Sequence, residues 1–427
     1  MLESCQICKS EGDPLKIAFF TNGYPLTSEA FIQLSARALL ERGHQVDVFG
    51  IGNAQPTGFA IDPSEFSDFS HTFETVNWPK SWPRRFLSLP KTMAQAVKRH
   101  GASALTQASP RIYRRTFADL TVWSQLTSLP KDGEYDILHC QFATLAEYVL
   151  KHVQAGFLSG KIISHFRGYD ITEVVNDQGP DVYDGLWGTV DGFIANCEHF
   201  ANRAKSLGCP TDLLTVIGSG IDLRRFSFED PRPFDPSSHE LTCVMIGRLN
   251  ERKGIDVGLK ALAKVKARTG VSLNIEIIGD GELRPKLTAL ADELGLNAET
   301  QFSGWQSHDY IAEKLRESHL LLALSQTTAS GAQDAPVNTL KEAIATGVIV
   351  VATDHGGIPE LVADGVTGFV GREGDEYSVA DAICRAIDTQ NRWPKIAQDA
   401  LHRVQEFYAI DRVTEKQIAF YQEIIDM

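Results

Sequence analysis

What most constrains this chain is the regular alternation of short apolar runs with stretches of helical periodicity. Residues 15–20 form an apolar run of strand length, followed by the turn-rich loop Thr21-Asn22-Gly23-Tyr24-Pro25. Over 28–42 apolar residues recur at helical spacing (Phe31, Leu34 and Ala38; Ile32, Ala36 and Leu39), and Gly43 closes the stretch. Residues 45–49 then alternate polar and apolar, as a strand does. Strand, helix and strand in about 35 residues make a βαβ unit, and such units build parallel sheets. Further strands are expected at 136–139, 161–164 and 192–195, and after residue 210 at 241–246, 272–278, 320–324 and 349–353. Helices are expected to begin near Ile255, Leu283, Val337 and Ile358. Residues 411–425 read as an amphipathic helix carrying Val413, Ile418, Tyr421 and Ile425.

A chain of 427 residues exceeds what one hydrophobic core usually serves. The alternation therefore divides into two α/β domains, 1–210 and 211–405, joined near 205–215, with 406–427 a helix returning to the first. Hydrophobic residues at 43% and charged residues at 22% are ordinary for a soluble globular protein. A net charge of −14 argues against nucleic acid as a partner, because phosphate binding needs a broad basic surface. The start, Met1-Leu2-Glu3-Ser4-Cys5, is not a basic region followed by an apolar one, and apolar windows such as 343–353 are shorter than the roughly 20 residues that cross a bilayer. A cytoplasmic location is expected. Seven dispersed cysteines (5, 8, 140, 197, 209, 243 and 384) read as reduced thiols, and Cys5-Gln6-Ile7-Cys8 lacks the second pair of a zinc ribbon.

In open parallel sheets ligands bind beyond the carboxyl ends of the strands, so each loop after a strand is a candidate site. Gly247-Arg248-Leu249-Asn250-Glu251-Arg252-Lys253-Gly254 is such a loop. Arg248 offers a planar fork for phosphate oxygens and Lys253 a point charge. On composition alone, phosphate binding and an exposed solubilising loop weigh equally. Gly331-Ala332-Gln333-Asp334-Ala335-Pro336 reads as a turn before a helix over 337–346 that Gly347 stops. Amides at that helix start favour an anion. Asp334 and Glu342, eight positions apart, could accept from sugar and ribose hydroxyls, although spacing alone favours a helix cap at Asp334 and a solvated Glu342.

Several ordered motifs together resemble the large retaining glycosyltransferase family 4. They are Asp334-x7-Glu342 running into Glu342-Ala343-x-Ala345-x-Gly347, Gly357-Ile358-Pro359-Glu360, Gly247-Arg248-Leu249 with Lys253-Gly254, Gly279-Asp280-Gly281-Glu282, and Gly220-Ile221-Asp222 with Phe226. The segment Tyr24-Pro25-Leu26-Thr27-Ser28-Glu29-Ala30-Phe31-Ile32 is similar to one in its colanic-acid and exopolysaccharide branch. The match covers nearly the whole chain.

The resemblance implies two Rossmann-like domains facing across a cleft, the GT-B architecture. It implies transfer of a hexose-type sugar, with retention, from a nucleotide-diphospho-sugar, UDP-sugar favoured over GDP-sugar, to a lipid-linked saccharide or glycolipid. Arg248 and Lys253 would hold the diphosphate, Glu342 the ribose, and Asp334 the transferred sugar. Residues Ala335, Pro336, Val337 and Asn338 would offer backbone to phosphate, while Gly23, Gly218 and Gly279 would allow close approach. No metal or other cofactor is expected, because cations and helix amides supply the charge.

Three positions depart from the family: Asp334 where Glu is usual, Arg167 for the histidine of the H-G-x-D segment in Phe166-Arg167-Gly168-Tyr169-Asp170 (with His165 two places before), and Gln141 for the second histidine of H-x-H after His139. Arg167 joins Asp334, Arg248 and Lys253 as a catalytic candidate. The same departures support a rival reading, a non-catalytic nucleotide-sugar-binding subunit of a polysaccharide assembly complex. A dehydrogenase is disfavoured because no G-x-G-x-x-G follows the first strand of either half. Finally, residues 78–115 carry nine Lys or Arg and no Asp or Glu, with Trp78, Trp82, Phe86 and Tyr113 among them. That composition suits an anionic membrane surface, a basic acceptor groove being the alternative.

Overall fold

A computed structural model describes residues 13–23, 30–51, 81–118, 120–235 and 240–427. Its strands form two six-stranded sheets. The first comprises β1 (Lys16–Thr21), β2 (Gln45–Gly50), β3 (Glu134–Cys140), β4 (Ser159–Phe166), β5 (Gly192–Ala195) and β6 (Leu214–Val216), in the order β2-β1-β3-β4-β5-β6. The second comprises β7 (Glu240–Ile246), β8 (Ser272–Ile278), β9 (Thr300–Gly304), β10 (Leu320–Ala323), β11 (Ile349–Thr353) and β12 (Phe369–Gly371), in the order β12-β11-β10-β7-β8-β9. The ladders are parallel, Lys16 opposite Gln45 and Cys243 opposite Ile275 among them. Cys5, Cys8, Trp78 and Lys80 lie outside the described residues.

Parallel strands need helices on both faces, which makes the central ones apolar along most of their length. Ile17, Phe19 and Phe20 are fully buried in β1, as is the whole of Ile349–Thr353. Side-chain alternation then divides the second sheet's core in two. Cys243, Met245, Ile275, Ile277, Leu322 and Val351 pack with helices Ile255–Thr269 and Glu376–Asp388. Val244, Ile278, Leu321, Val350 and Ala352 pack with Asn338–Thr346 and Trp393–Phe407.

By packing density the chain forms two units. One contains 1–165, 185–193 and 417–427; the other contains 166–184 and 194–416. The helix Ile410–Asp426 thus ends in the first unit. There the Tyr421 hydroxyl lies 2.6 Å from His139 Nδ1, His139 Nε2 lies 3.2 Å from His165 Nδ1, and Ser35 donates to Gln417 at 3.0 Å. These polar groups, all but Ser35 buried, fasten the C-terminal helix to β3, β4 and the helix Ala30–Leu40.

The expected strands are present within a few residues of their predicted ends, and the helix after β1 stops where Gly43 takes φ +88°. The helix expected near Ile358 is instead one 3-10 turn, Ile358–Glu360. Leu361 and Val362 both donate back to the Ile358 carbonyl, and the Thr367 hydroxyl closes the following loop by donating to the Leu361 carbonyl and accepting from the Ala363 amide. Three short strands, β6, β9 and β12, carry too little pattern to be read beforehand.

Gly254 opens helix Ile255–Thr269 at φ +58°, and a Cβ there would stand 2.0 Å from the Leu324 carbonyl oxygen. Gly365 has a similar φ of +69° with nothing within 4 Å of its Cβ position. Gly365→Ala is therefore expected to lose only the left-handed penalty, about 1–2 kcal/mol. Gly254→Ala adds overpacking and should lose roughly 2–5 kcal/mol. Denaturant unfolding of both variants checks this; equal losses would contradict the packing described.

Candidate functional site

Sequential strands run outward from β7 to β8 and β9 on one side and from β10 to β11 and β12 on the other. The reversal lies between β7 and β10, and at such a switch point the loops beyond the carboxyl ends diverge and leave room for a ligand. The two loops that meet there carry Lys253 and Asp334. Lys253 Nζ donates to Asp334 Oδ2 at 2.8 Å, and the Ser325 hydroxyl donates to the same oxygen at 2.9 Å. Arg252 Nε stands 3.3 Å from Oδ1 as an ion-pair contact without hydrogen-bond alignment.

Burial alone would raise the Asp334 pKa. The charges of Lys253 and Arg252 and the hydrogen bonds from Lys253 and Ser325 outweigh it, holding the carboxyl at about 2. Against an ordinary aspartate that is a preference for the ionised form of about 2 kcal/mol. Asp334 is not a helix cap: the cap position of Asn338–Thr346 belongs to Val337. The first amides of that helix, from Val337, Asn338 and Thr339, donate to no acceptor among the described residues.

Glu342, one turn into the same helix, is largely buried, not solvated. Burial raises its pKa, opposed by His308, Lys341 and Arg225, and no cation lies within 4 Å of it among the described residues. Beside it Lys341 is fully buried, its Nζ donating to the Ser219 carbonyl at 2.7 Å and to Asn338 Oδ1 at 3.3 Å, 4.6 Å from the Tyr408 ring centroid. Burial pushes this amine down to about 7, against the pull of Cys197 and Glu342 and with the help of Arg167.

Arg167 belongs to the same unit. Its Nη1 donates at 3.3 Å to both Asn196 Oδ1 and the Ser219 hydroxyl. The buried Asp170 carboxylate sets that loop by accepting from the amides of Arg167, Gly168 and Ile171. Pro336 packs beside Gly357, and Gly218 lies against the Tyr408 ring. Gly279 has φ +132° and sits so close to the Gly247 carbonyl that a Cβ would be 1.9 Å from its oxygen, which knits the loops after β7 and β8. Arg248 is exposed on the first of these loops. Gly23 is buried just after β1, in the other unit.

The structure therefore gathers Lys253, Asp334, Val337, Asn338, Glu342 and Arg167 in one unit, and it adds residues the sequence reading passed over: Arg252, Ser325, Lys341, His355 and Glu373. Arg252 lay inside the motif already singled out. Ser325 and His355 each follow the end of a strand by two residues, the signal that could have found them.

The Glycosyltransferase Family 4 domain matches residues 28–225, and the Glycosyl transferases group 1 domain matches residues 227–403. Among curated proteins the chain is 27% identical to the colanic acid biosynthesis glycosyltransferase WcaL of Salmonella typhimurium, covering 86% of this chain and 89% of that one. It is 25% identical to the amylovoran biosynthesis glycosyltransferase AmsK of Erwinia amylovora, covering 87% and 90%. Among solved structures it resembles Anabaena Alr3699/HepE in complex with UDP and glucose, at TM-score 0.67 and 18% identity over 96% of this chain and 100% of that one. A glycosyltransferase from Rickettsia africae matches at TM-score 0.66 and 17% identity, over 97% and 99%. The two-sheet architecture is that of the GT-B fold.

The buried amine of Lys341 makes a prediction of its own. Because its folded pKa is lowered, the unfolded chain binds the extra proton between about 7 and the ordinary lysine value of about 10.4. Wild-type stability should thus rise with pH across that window relative to Lys341→Met, the two curves running parallel below it. Unfolding free energies measured from pH 6 to 10 check the sign; a difference that falls as pH rises would refute it.

Proposed function

This chain belongs to the glycosyltransferases of the family 4 and group 1 type, and we propose that it moves a hexose-type sugar, with retention of configuration, from a nucleotide-diphospho-sugar to a membrane-associated acceptor in exopolysaccharide assembly. The observation that carries the donor reading is the meeting of Lys253 and Arg252 with Asp334 at the start of helix Asn338–Thr346, on the switch point of the second sheet. Two cations and unengaged helix amides make a site for a diphosphate. UDP is favoured because a structural neighbour holds it, and the exopolysaccharide setting follows the relatives' colanic acid and amylovoran names.

In this reading Lys253 and Arg248 neutralise the charge that grows on the departing nucleotide, the task a metal performs in other transferases. Glu342, largely buried beside the helix start, accepts from the ribose hydroxyls. Asp334 accepts from hydroxyls of the transferred sugar and holds the Lys253 amine in place. Arg167, held by Asn196 and Ser219, faces the reacting end of the donor. The protein works without a metal or other cofactor.

The test is nucleotide release from a panel of UDP- and GDP-sugars, with and without EDTA. Lys253→Ala and Arg248→Ala should each raise the barrier by about 2–4 kcal/mol in a folded protein. Glu342→Ala should weaken UDP binding in calorimetry, whereas Asp334→Ala should spare UDP binding and depress transfer. Turnover by both cation variants at the wild-type rate would remove this assignment, and abolition by EDTA would remove metal independence. Failure of the wild type on every donor would favour the non-catalytic binding subunit.

The acceptor side rests on the helix Trp82–His100. Its C-terminal half packs through the buried Ala96, with Arg99 donating to the Thr127 carbonyl at 2.7 Å. Its first turns stand out in water: Trp82 is 57% exposed, Phe86 60% and Leu87 80%. Trp82 and Phe86 stack with ring centroids 6.1 Å apart, and Arg84, Lys91 and Lys98 are exposed along the same helix. Exposed aromatic residues beside cations, with no acid on the helix, are the composition of an interfacial anchor on an anionic membrane. No described helix is long and apolar enough to cross one. Wild type should co-sediment with vesicles containing phosphatidylglycerol and not with neutral ones, the more so at low salt. Trp82→Ala with Arg84, Lys91 and Lys98 changed to Glu should stay in the supernatant; equal binding by wild type and variant would contradict the anchor.

A further inference from the structure

The loops after β10, β11 and β12 meet around one imidazole. His355 is fully buried, and its Nε2 accepts the Asp334 main-chain amide at 2.9 Å. Its Nδ1 is bonded to Glu373 Oε2. Glu373 is in turn fixed by Thr327, whose hydroxyl donates to Oε1 at 3.0 Å and whose amide lies 3.3 Å from Oε2. The Glu373 amide donates to Asp354 at 2.8 Å. On the other side, the Asp334 carbonyl accepts from the Gly357 amide at 3.1 Å.

These bonds determine where the proton lies. A ring nitrogen that accepts an amide hydrogen carries none itself, so the neutral ring keeps its proton on Nδ1, pointed at the Glu373 carboxylate. The carboxylate thereby selects the tautomer that can accept from Asp334. Both main-chain polar groups of Asp334 are then held by the short segment 354–357, from the strand next to its own. Aspartate has only two side-chain torsions with which to absorb a displaced backbone, so the place of its main chain sets the place of its carboxylate.

We propose that His355, oriented by Glu373, is a positioning residue for Asp334, fixing the main chain so that the carboxylate meets Lys253, Ser325 and the sugar of the donor. This rests on the reading of Asp334 given above. It assigns to a histidine that touches neither nucleotide nor sugar a share in the rate of transfer, and to Glu373 the choice of tautomer.

Two measurements on the full-length protein test it. In long-range proton–nitrogen spectra of histidine-labelled protein at pH 7, the resonance lost in His355→Ala should show a neutral ring protonated on Nδ1. A ring protonated on Nε2, or charged, overturns the proposal. In nucleotide release from the same donor panel, His355→Ala should lower kcat by about 10- to 100-fold, as loss of an orienting partner does elsewhere. The donor KM and the UDP affinity should stay within about twofold. His355→Gln, which keeps an acceptor and a donor, should recover part of the rate. His355→Ala combined with Asp334→Ala should be no slower than Asp334→Ala alone. Unchanged kcat, UDP affinity falling in step with kcat, or additive losses would each refute it. If Asp334→Ala leaves turnover intact, or the wild type uses no donor, the transfer reading fails, and the tautomer spectrum still decides the geometry.

Discussion

Parallel pairing is the constraint on which the rest of this molecule depends. A strand that must lie beside its predecessor in the same direction has to cross over through a helix, and both faces of the resulting sheet are then covered. The fully buried Ile349–Thr353, the division of the second sheet's core into two clusters, and the helices on either side of it follow from that requirement. So does the placement of chemistry. Every strand delivers its following loop to the same edge, and where the order reverses between β7 and β10 two loops reach each other. Lys253 and Asp334 are 81 residues apart in sequence and 2.8 Å apart in space for that reason.

The electrostatics of the site follow from its burial. A carboxylate taken out of water is costly unless it is paired and hydrogen-bonded, and one left without partners would bind a proton instead. Asp334 has Lys253, Arg252 and Ser325, and it stays ionised well below the usual aspartate range. Glu342, one helix turn on, is shifted the other way, because burial outweighs the more distant charges of His308, Lys341 and Arg225. Two acids of nearly identical chemistry thus acquire opposite tendencies from their surroundings. Unequal environments of this kind are how one site divides roles between similar groups.

Most strands of the parallel ladders were legible because burial on both faces writes itself as near-continuous apolar runs, and Gln45–Gly50 was legible by its alternation. Thr300–Gly304 was not, because TQFSG lies at a sheet edge and carries the mixed composition of a loop. Ile358 was misread because apolar residues at helical spacing say nothing of the Thr367 hydroxyl that closes the following loop onto Leu361 and Ala363. Among candidate site residues, Lys253, Asp334 and Glu342 stood in motifs whose order along the chain singled them out, and the fold brings Lys253 and Asp334 together. His355 follows its strand by two residues, but nothing in that spacing shows that its partner is the main chain of Asp334 or that Glu373 selects its tautomer. Lys341 stands out in no motif; only the fold shows it facing the Ser219 carbonyl and the Tyr408 ring.

The membership of residues 417–427 in the first unit bears on how the protein is made. A ribosome adds roughly 5–20 residues per second, and domains generally fold as they emerge. Here the last helix, which sets Phe420 and Ile424 against Gly192, leaves the ribosome only after the whole of the second unit. The first unit, most of which is translated before the second, therefore cannot close until the second has been made. Its apolar seat around Gly192 stays open to water until the last residues arrive, so chaperone dependence and aggregation during synthesis should concentrate on the half of the molecule that is translated first.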